Sequence, residues 1–185
     1  MRLRDLTVVL ACLCLAATAC RSKPKEPTLE ELLAALAGPD EQKSGEARLA
    51  LITRGEPAAA GLAGLLGSTD PSVRARAAST LWMLAENARG AVPALATALA
   101  DPDAEVRRAA AMALGNMGGH ALPAISALAK ALADPDGSVR QYAAKALGAI
   151  GPPAAPALPA LEELARTDAL RATAEEAIDR IRGVK

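Results

Sequence analysis

Apolar residues recur through the middle of the chain at spacings of four, four and three. Val106, Ala110, Leu114 and Met117 form one such set, and the spacing puts them on a single stripe of an α-helix. Val73, Ala77, Leu81 and Leu84 repeat the set 33 residues earlier, and Val139, Ala143, Leu147 and Ile150 repeat it 33 residues later. Paired alanines (Ala77-Ala78, Ala110-Ala111, Ala143-Ala144) widen each stripe with small side chains, so neighbouring helices can approach closely. An aspartate stands before each stripe (Asp70, Asp103, Asp136), placed to accept from the free N–H groups of the first turn. Gly118 and Gly151 follow two of the stripes, where a glycine C-cap is expected.

A companion helix precedes each of these. Pro57, Pro93, Pro123 and Pro156 or Pro159 mark the starts, each followed by leucines, and proline is tolerated in a first turn because its missing N–H has no partner there. Asp101-Pro102-Asp103 and Asp134-Pro135-Asp136 read as the turns between paired helices. Degenerate units flank the regular ones. Leu29, Leu32, Leu33 and Leu36, then Ala47, Ala50 and Leu51, form the first, with Pro39-Asp40 as its turn. Leu170, Ala174, Ile178 and Ile181 form the last at a 31-residue offset, with Glu175 in the place of the second alanine. A unit this short cannot bury its own apolar face and must stack on its neighbours. The pattern predicts an all-α solenoid of about five helical pairs spanning residues 28–185, a fold that presents an extended surface to a partner.

The first residues follow another logic. Arg2 and Arg4 precede an apolar run from Leu6 to Ala19 that is shorter than the ~20 residues a membrane span needs, so residues 1–19 read as a signal peptide. Cys20 directly follows Ala17-Thr18-Ala19, an arrangement that resembles the lipobox of bacterial lipoproteins. The resemblance implies lipid attachment at Cys20 and a lipidated mature N-terminus, with 20–27 as a polar, proline-containing tether. Ala17 stands where an aliphatic residue is usual, and cleavage after Ala19 without lipidation, giving a soluble exported chain, is the other reading. Arg21 is not the aspartate that retains enterobacterial lipoproteins at the inner membrane, which favours an outer-membrane anchor facing the periplasm.

The chain carries 21 basic and 21 acidic residues, and the balance gives no electrostatic case for nucleic acid. Its aromatic content is one Trp, one Tyr and no Phe, which argues against a β-sandwich.

The 33-residue period also suits ankyrin and tetratricopeptide repeats, but no TPLHxA is present and no unit holds the tetratricopeptide Trp, Gly and Tyr set. From Leu29 onward the turn DxxVR followed by AAxALGxIG, as in DGSVRQYAAKALGAIG, resembles the HEAT-like repeat family in its short, phycobilisome-lyase form. That resemblance implies a right-handed α-solenoid. It constrains function less, because the same repeat serves scaffolds, chaperone-like lyases, hydroxylases and DNA glycosylases.

Arg74, Arg107 and Arg140 recur once per unit, as does Arg171 at the shorter offset. The family resemblance implies a structural ladder in which they pair with turn aspartates of their own or the adjacent unit: Asp70, Asp101, Asp103, Asp134 and Asp136. The variable positions of the second helices fall between the core residues and are the expected concave binding face: Arg76, Ser79 and Met83; Arg108, Met112 and Asn116; Gln141, Tyr142 and Lys145. Trp82, in the slot that later units fill with Gly115 and Gly148, is expected to fill space beside an irregular unit, with a binding anchor as the other reading.

The single histidine, His120, and the lack of a mature cysteine besides Cys20 exclude a histidine or thiolate metal cluster. No GxSxG elbow or Gly-rich phosphate loop occurs. The expectation is therefore a non-enzymatic scaffold with no cofactor, held at the cell envelope and binding another protein through its concave surface. The alternative is a bilin-lyase-like or chaperone-like repeat protein acting on a bound ligand.

Overall fold

The computed structural model describes residues 26–167 and 169–184, and every element among them is helical. The signal segment, Cys20 and most of the tether lie outside the described residues. Ten α-helices form five pairs: α1 Leu29–Ala37 with α2 Glu41–Arg54, α3 Glu56–Leu65 with α4 Pro71–Leu84, α5 Val92–Ala98 with α6 Ala104–Met117, α7 Ile125–Ala131 with α8 Gly137–Ile150, and α9 Leu158–Thr167 with α10 Arg171–Arg182. The architecture is the all-α solenoid that the periodicity predicts.

The first helices of the last three pairs are shorter than the sequence suggests, because each is entered through a 3-10 segment: Ala85–Ala91, Gly118–Ala124 and Pro152–Ala157. Pro93 and Pro159 sit second in their α-helices, but Pro123 and Pro156 fall inside the 3-10 segments. A proline without an N–H costs a tighter, shorter helix little, and the α-helix proper begins after it.

The second helices start where the aspartates stand. Asp40, Asp70, Asp103 and Asp136 are the N-caps of α2, α4, α6 and α8, each accepting a backbone N–H of the first turn at 2.8–3.1 Å. Thr28 and Glu31 close α1 with a reciprocal capping box. All twelve residues of the three regular stripes are buried, as are Ala174, Ile178 and Ile181 of the last unit.

Helices α4, α6, α8 and α10 pack along their lengths on one another, whereas α5 and α7 meet only sparingly. Small residues permit the close layer: a Cβ on Gly115 would lie 3.4 Å from the Ala146 Cα, and one on Gly148 only 3.0 Å from the Ala177 Cα. The second helices therefore form one closely packed layer.

Candidate functional site

A groove of about 550 Å3 crosses the layer of second helices from α4 to α10. Its lining includes the small residues Ala111, Gly115 and Ala149 together with Met112, Trp82 on α4 and Tyr142 on α8. Lys145, Glu176 and Arg180 supply its charge, and Asn116 its amide. The Lys145 ammonium sits 5.4 Å from the centroid of the Tyr142 ring, a cation–π distance. Arg180 Nη2 donates to Glu176 Oε1 at 2.7 Å, and Asn116 Nδ2 donates to the Trp82 carbonyl at 2.9 Å. The only tryptophan and the only tyrosine of the chain, 60 residues apart, line this one groove.

Of the nine residues expected on the binding face, Met112, Asn116, Tyr142 and Lys145 come together here. Ser79, Met83, Arg108 and Gln141 lie on the same helices without lining the groove: Ser79 Oγ donates to the Arg76 carbonyl at 3.0 Å, and Arg108 pairs with Glu105. Arg76 is committed elsewhere. Its Nη1 donates to the Gly38 carbonyl at 2.9 Å and to Ser44 Oγ at 3.0 Å, tying α4 to the turn of the first unit.

Trp82 is placed differently from the sequence expectation. It is 39% exposed and faces the groove rather than filling space between units. Its spacing carried the signal, since it follows Ser79 by three and shares that face of α4. Glu176 and Arg180 were legible in the same way, 31 residues after Lys145 and Ala149.

A second groove of about 560 Å3 runs past the N-termini of α2, α4 and α6, with Glu41, Asp70, Asp103 and Glu105 in its walls. Asp70 and Asp103 are N-caps, and Glu105 holds Arg108, so most of its carboxylates serve the helices they stand on.

The arginines do form a ladder. Arg74 grips Asp101 in a bidentate pair (Nε–Oδ2 2.7 Å, Nη2–Oδ1 2.8 Å), and Arg107 grips Asp134 in the same way at 2.7 and 2.9 Å. The Nη1 group of each donates to two carbonyls of its own turn, and Arg140 does likewise toward Asp134 and Pro135. The carboxylates gripped from the preceding unit are thus Asp101 and Asp134, two residues before the caps. Asp103 and Asp136 cap helices instead, and join the ladder only by donating their N–H groups to Asp101 and Asp134 at 2.9 and 2.8 Å. Burial alone would raise the pKa of Asp101 and of Asp134. The arginine hydrogen bond, the cap N–H and nearby guanidinium charge together hold both below the ordinary aspartate value. The same hydrogen bonds push Arg74 and Arg107 further up.

Among the described residues no helix is long and apolar enough to cross a membrane, and no group of three or more His, Cys, Asp or Glu side chains is placed to hold a metal ion.

A chain in the complex of CpcE and CpcF of phycocyanin lyase from Nostoc sp. PCC7120 is 25% identical to this one, with a TM-score of 0.67 over 81% of this chain and 95% of that one. An engineered protein is 28% identical at a TM-score of 0.64, covering 84% of this chain and 80% of its own. A designed armadillo repeat protein in complex with the peptide (KR)4 shares the fold at 22% identity and a TM-score of 0.67, over 83% and 81% of the two chains. No curated protein sequence matches significantly. The profile of the HEAT repeats matches residues 59–125 and 92–179, which together cover well over half of the sequence. By the repeat register, the stacked helical pairs and this match, the chain belongs to the HEAT-repeat family.

Proposed function

We propose that the protein is a HEAT-repeat scaffold that binds a segment of another protein in the groove between Trp82 and Tyr142. The observation that carries this reading is the convergence of the chain's only two large aromatic side chains on one partly apolar, solvent-open groove. Aromatic and methionine side chains are enriched where proteins meet, and a few buried anchors supply most of the binding energy. The neighbours give support, one having been solved with a peptide and one as a complex of two proteins. The scaffold does no chemistry of its own in this reading. A bilin-lyase-like role is the second reading, favoured by the likeness to the phycocyanin lyase complex.

The scaffold is held at the cell envelope by a lipid on Cys20, at the outer membrane where the host has one. Support for this lies in the apolar run up to Ala19, the cysteine that follows it and Arg21 after that.

Two measurements test the proposal. Fractionation of cells carrying the wild type should place the protein with membranes, and Cys20→Ser should release it; a soluble wild type contradicts the anchor. Capture of envelope proteins on the wild type and on Trp82→Ala with Tyr142→Ala should lose its specific partner in the double variant. Retention of every captured protein by that variant contradicts the groove as the binding site.

A further inference from the structure

The charges around the groove select its occupant. Lys145 makes no ion pair among the described residues and rests only against the Tyr142 ring. Arg180 engages Glu176 through Nη2 alone, in a pair more than half exposed on both sides, so its other donors are open to a ligand. Glu176, the single carboxylate in the lining, is thereby already matched, and the uncompensated charge of the groove is positive. Ala111, Met112, Gly115 and Ala149 supply the apolar part of the same lining, together with the two aromatic side chains. A carboxylate and a bulky apolar side chain close together in sequence would satisfy both parts.

We infer that the groove takes an extended acidic-apolar segment of a partner protein, with its carboxylate on Lys145 and Arg180 and its apolar side chain between Trp82 and Tyr142. This rests on the reading of the groove as a protein-binding site. Four second helices at axis spacings of about 8–10 Å give the lining a length of about 24–30 Å. At ~3.3 Å per residue that length accepts about seven to nine extended residues. A lysine-rich or arginine-rich segment is disfavoured here, since Lys145 and the outer donors of Arg180 would repel it.

The test uses the full chain in detergent and a displayed library of random octapeptides, selected in parallel on the wild type, Lys145→Glu and Trp82→Ala with Tyr142→Ala. Trp82 is the only tryptophan, so its fluorescence reports groove occupancy directly when a selected peptide is titrated. Peptides enriched on the wild type should pair Asp or Glu with Leu, Ile, Phe or Met, and should shift the Trp82 emission. Their affinity should fall on the order of tenfold or more on Lys145→Glu, and the loss should shrink as salt rises. Unchanged circular dichroism of Lys145→Glu separates that loss from misfolding.

Basic or uncharged peptides that bind through the aromatic pair overturn the acidic selectivity and leave the protein-binding groove standing. Enriched peptides that ignore all three substitutions, or an absence of enriched peptides, overturn both. A self-association in ultracentrifugation that the aromatic double variant abolishes also overturns the inference, because a second copy would then be the occupant.

Discussion

Arg76 Nη1 lies 3.0 Å from Ser44 Oγ, and this contact takes the place of the arginine ladder at the first seam. Ser44 stands four residues after its N-cap Asp40, the position held by Arg74, Arg107 and Arg140 after theirs. Ser68 stands where later units have Asp101 and Asp134, two residues before the cap. Both halves of the forward ion pair are therefore missing between the first two units. The guanidinium comes back from the second unit instead, and meets the Gly38 carbonyl as well as buried Ser44, which itself donates to the Leu36 carbonyl at 3.1 Å.

Removing that guanidinium should loosen one end of the stack and little else. In a solenoid each unit touches only its neighbours, so local opening stays local. Arg76→Ala should raise amide hydrogen exchange in α1 and α2 well above that in α6 and α8. An equal rise along the whole stack would show that Arg76 does not act at this seam.

Ala85 holds a backbone conformation that its counterparts entrust to glycine. Its φ of 49° and ψ of −123° nearly coincide with the 51° and −123° of Gly118, and Gly55 and Gly151 lie in the same region. A side chain at positive φ here costs of the order of 1–3 kcal/mol, partly offset by the tighter unfolded chain of alanine. Ala85→Gly should thus stabilise the protein by about 1 kcal/mol, read as a higher midpoint in urea. An unchanged or lower midpoint would show that the position is not strained.

The stripes, caps and stacking were legible because they repeat: a residue such as Leu114 has a counterpart at the same register in each neighbouring unit, and burial follows from that register. Arg76 was not legible in the same way, because its role depends on Ser44, 32 residues earlier in an irregular unit. Trp82 was misplaced for a related reason. Its slot is a glycine in the next two units, where helices press together, and the tryptophan there is 39% exposed in the groove that Gly115 also lines. The three-residue spacing from Ser79 puts Trp82 on the face of the variable positions. The 3-10 entries were missed because proline signals a start without distinguishing an α-helix from a tighter turn before it.

Two helix-interior glycines should respond to alanine with opposite signs. Nothing lies within 4 Å of a Cβ built on Gly45 in α2, so Gly45→Ala should gain the helix-propensity difference of about 0.5–1 kcal/mol. At Gly148 the new Cβ would sit 3.0 Å from the Ala177 Cα and 3.2 Å from its Cβ, against backbone that cannot swing away. Overpacking there should outweigh the propensity gain and leave a net loss of about 1 kcal/mol. Gains at both sites would mean that α8 and α10 are not held as close as described.

The ladder should make the fold sensitive to acid in a defined window. Asp101 and Asp134 have folded pKa values below the ordinary aspartate value, so folding favours their ionised forms. A carboxyl group of lowered folded pKa contributes stability that is fully present above its unfolded pKa, near 3.9 in free peptides, and is lost as pH falls through the folded value. The melting midpoint of the wild type should therefore gain nothing from these two groups between pH 7 and about 5, then drop steeply below pH 4. Arg107→Ala removes the strongest force lowering Asp134 while leaving it buried, and burial alone raises the pKa. In that variant the midpoint should be lower by several degrees at neutral pH, and the deficit against the wild type should narrow as pH falls below about 5, because a buried Asp134 without its partner takes up its proton in the folded state first. Asp134→Asn in the same background removes the unpaired buried charge and the titrating group together, and should recover part of the neutral-pH midpoint and abolish that narrowing. A variant whose pH profile merely runs parallel to that of the wild type would show that the Arg107–Asp134 pair does not set the acid limit.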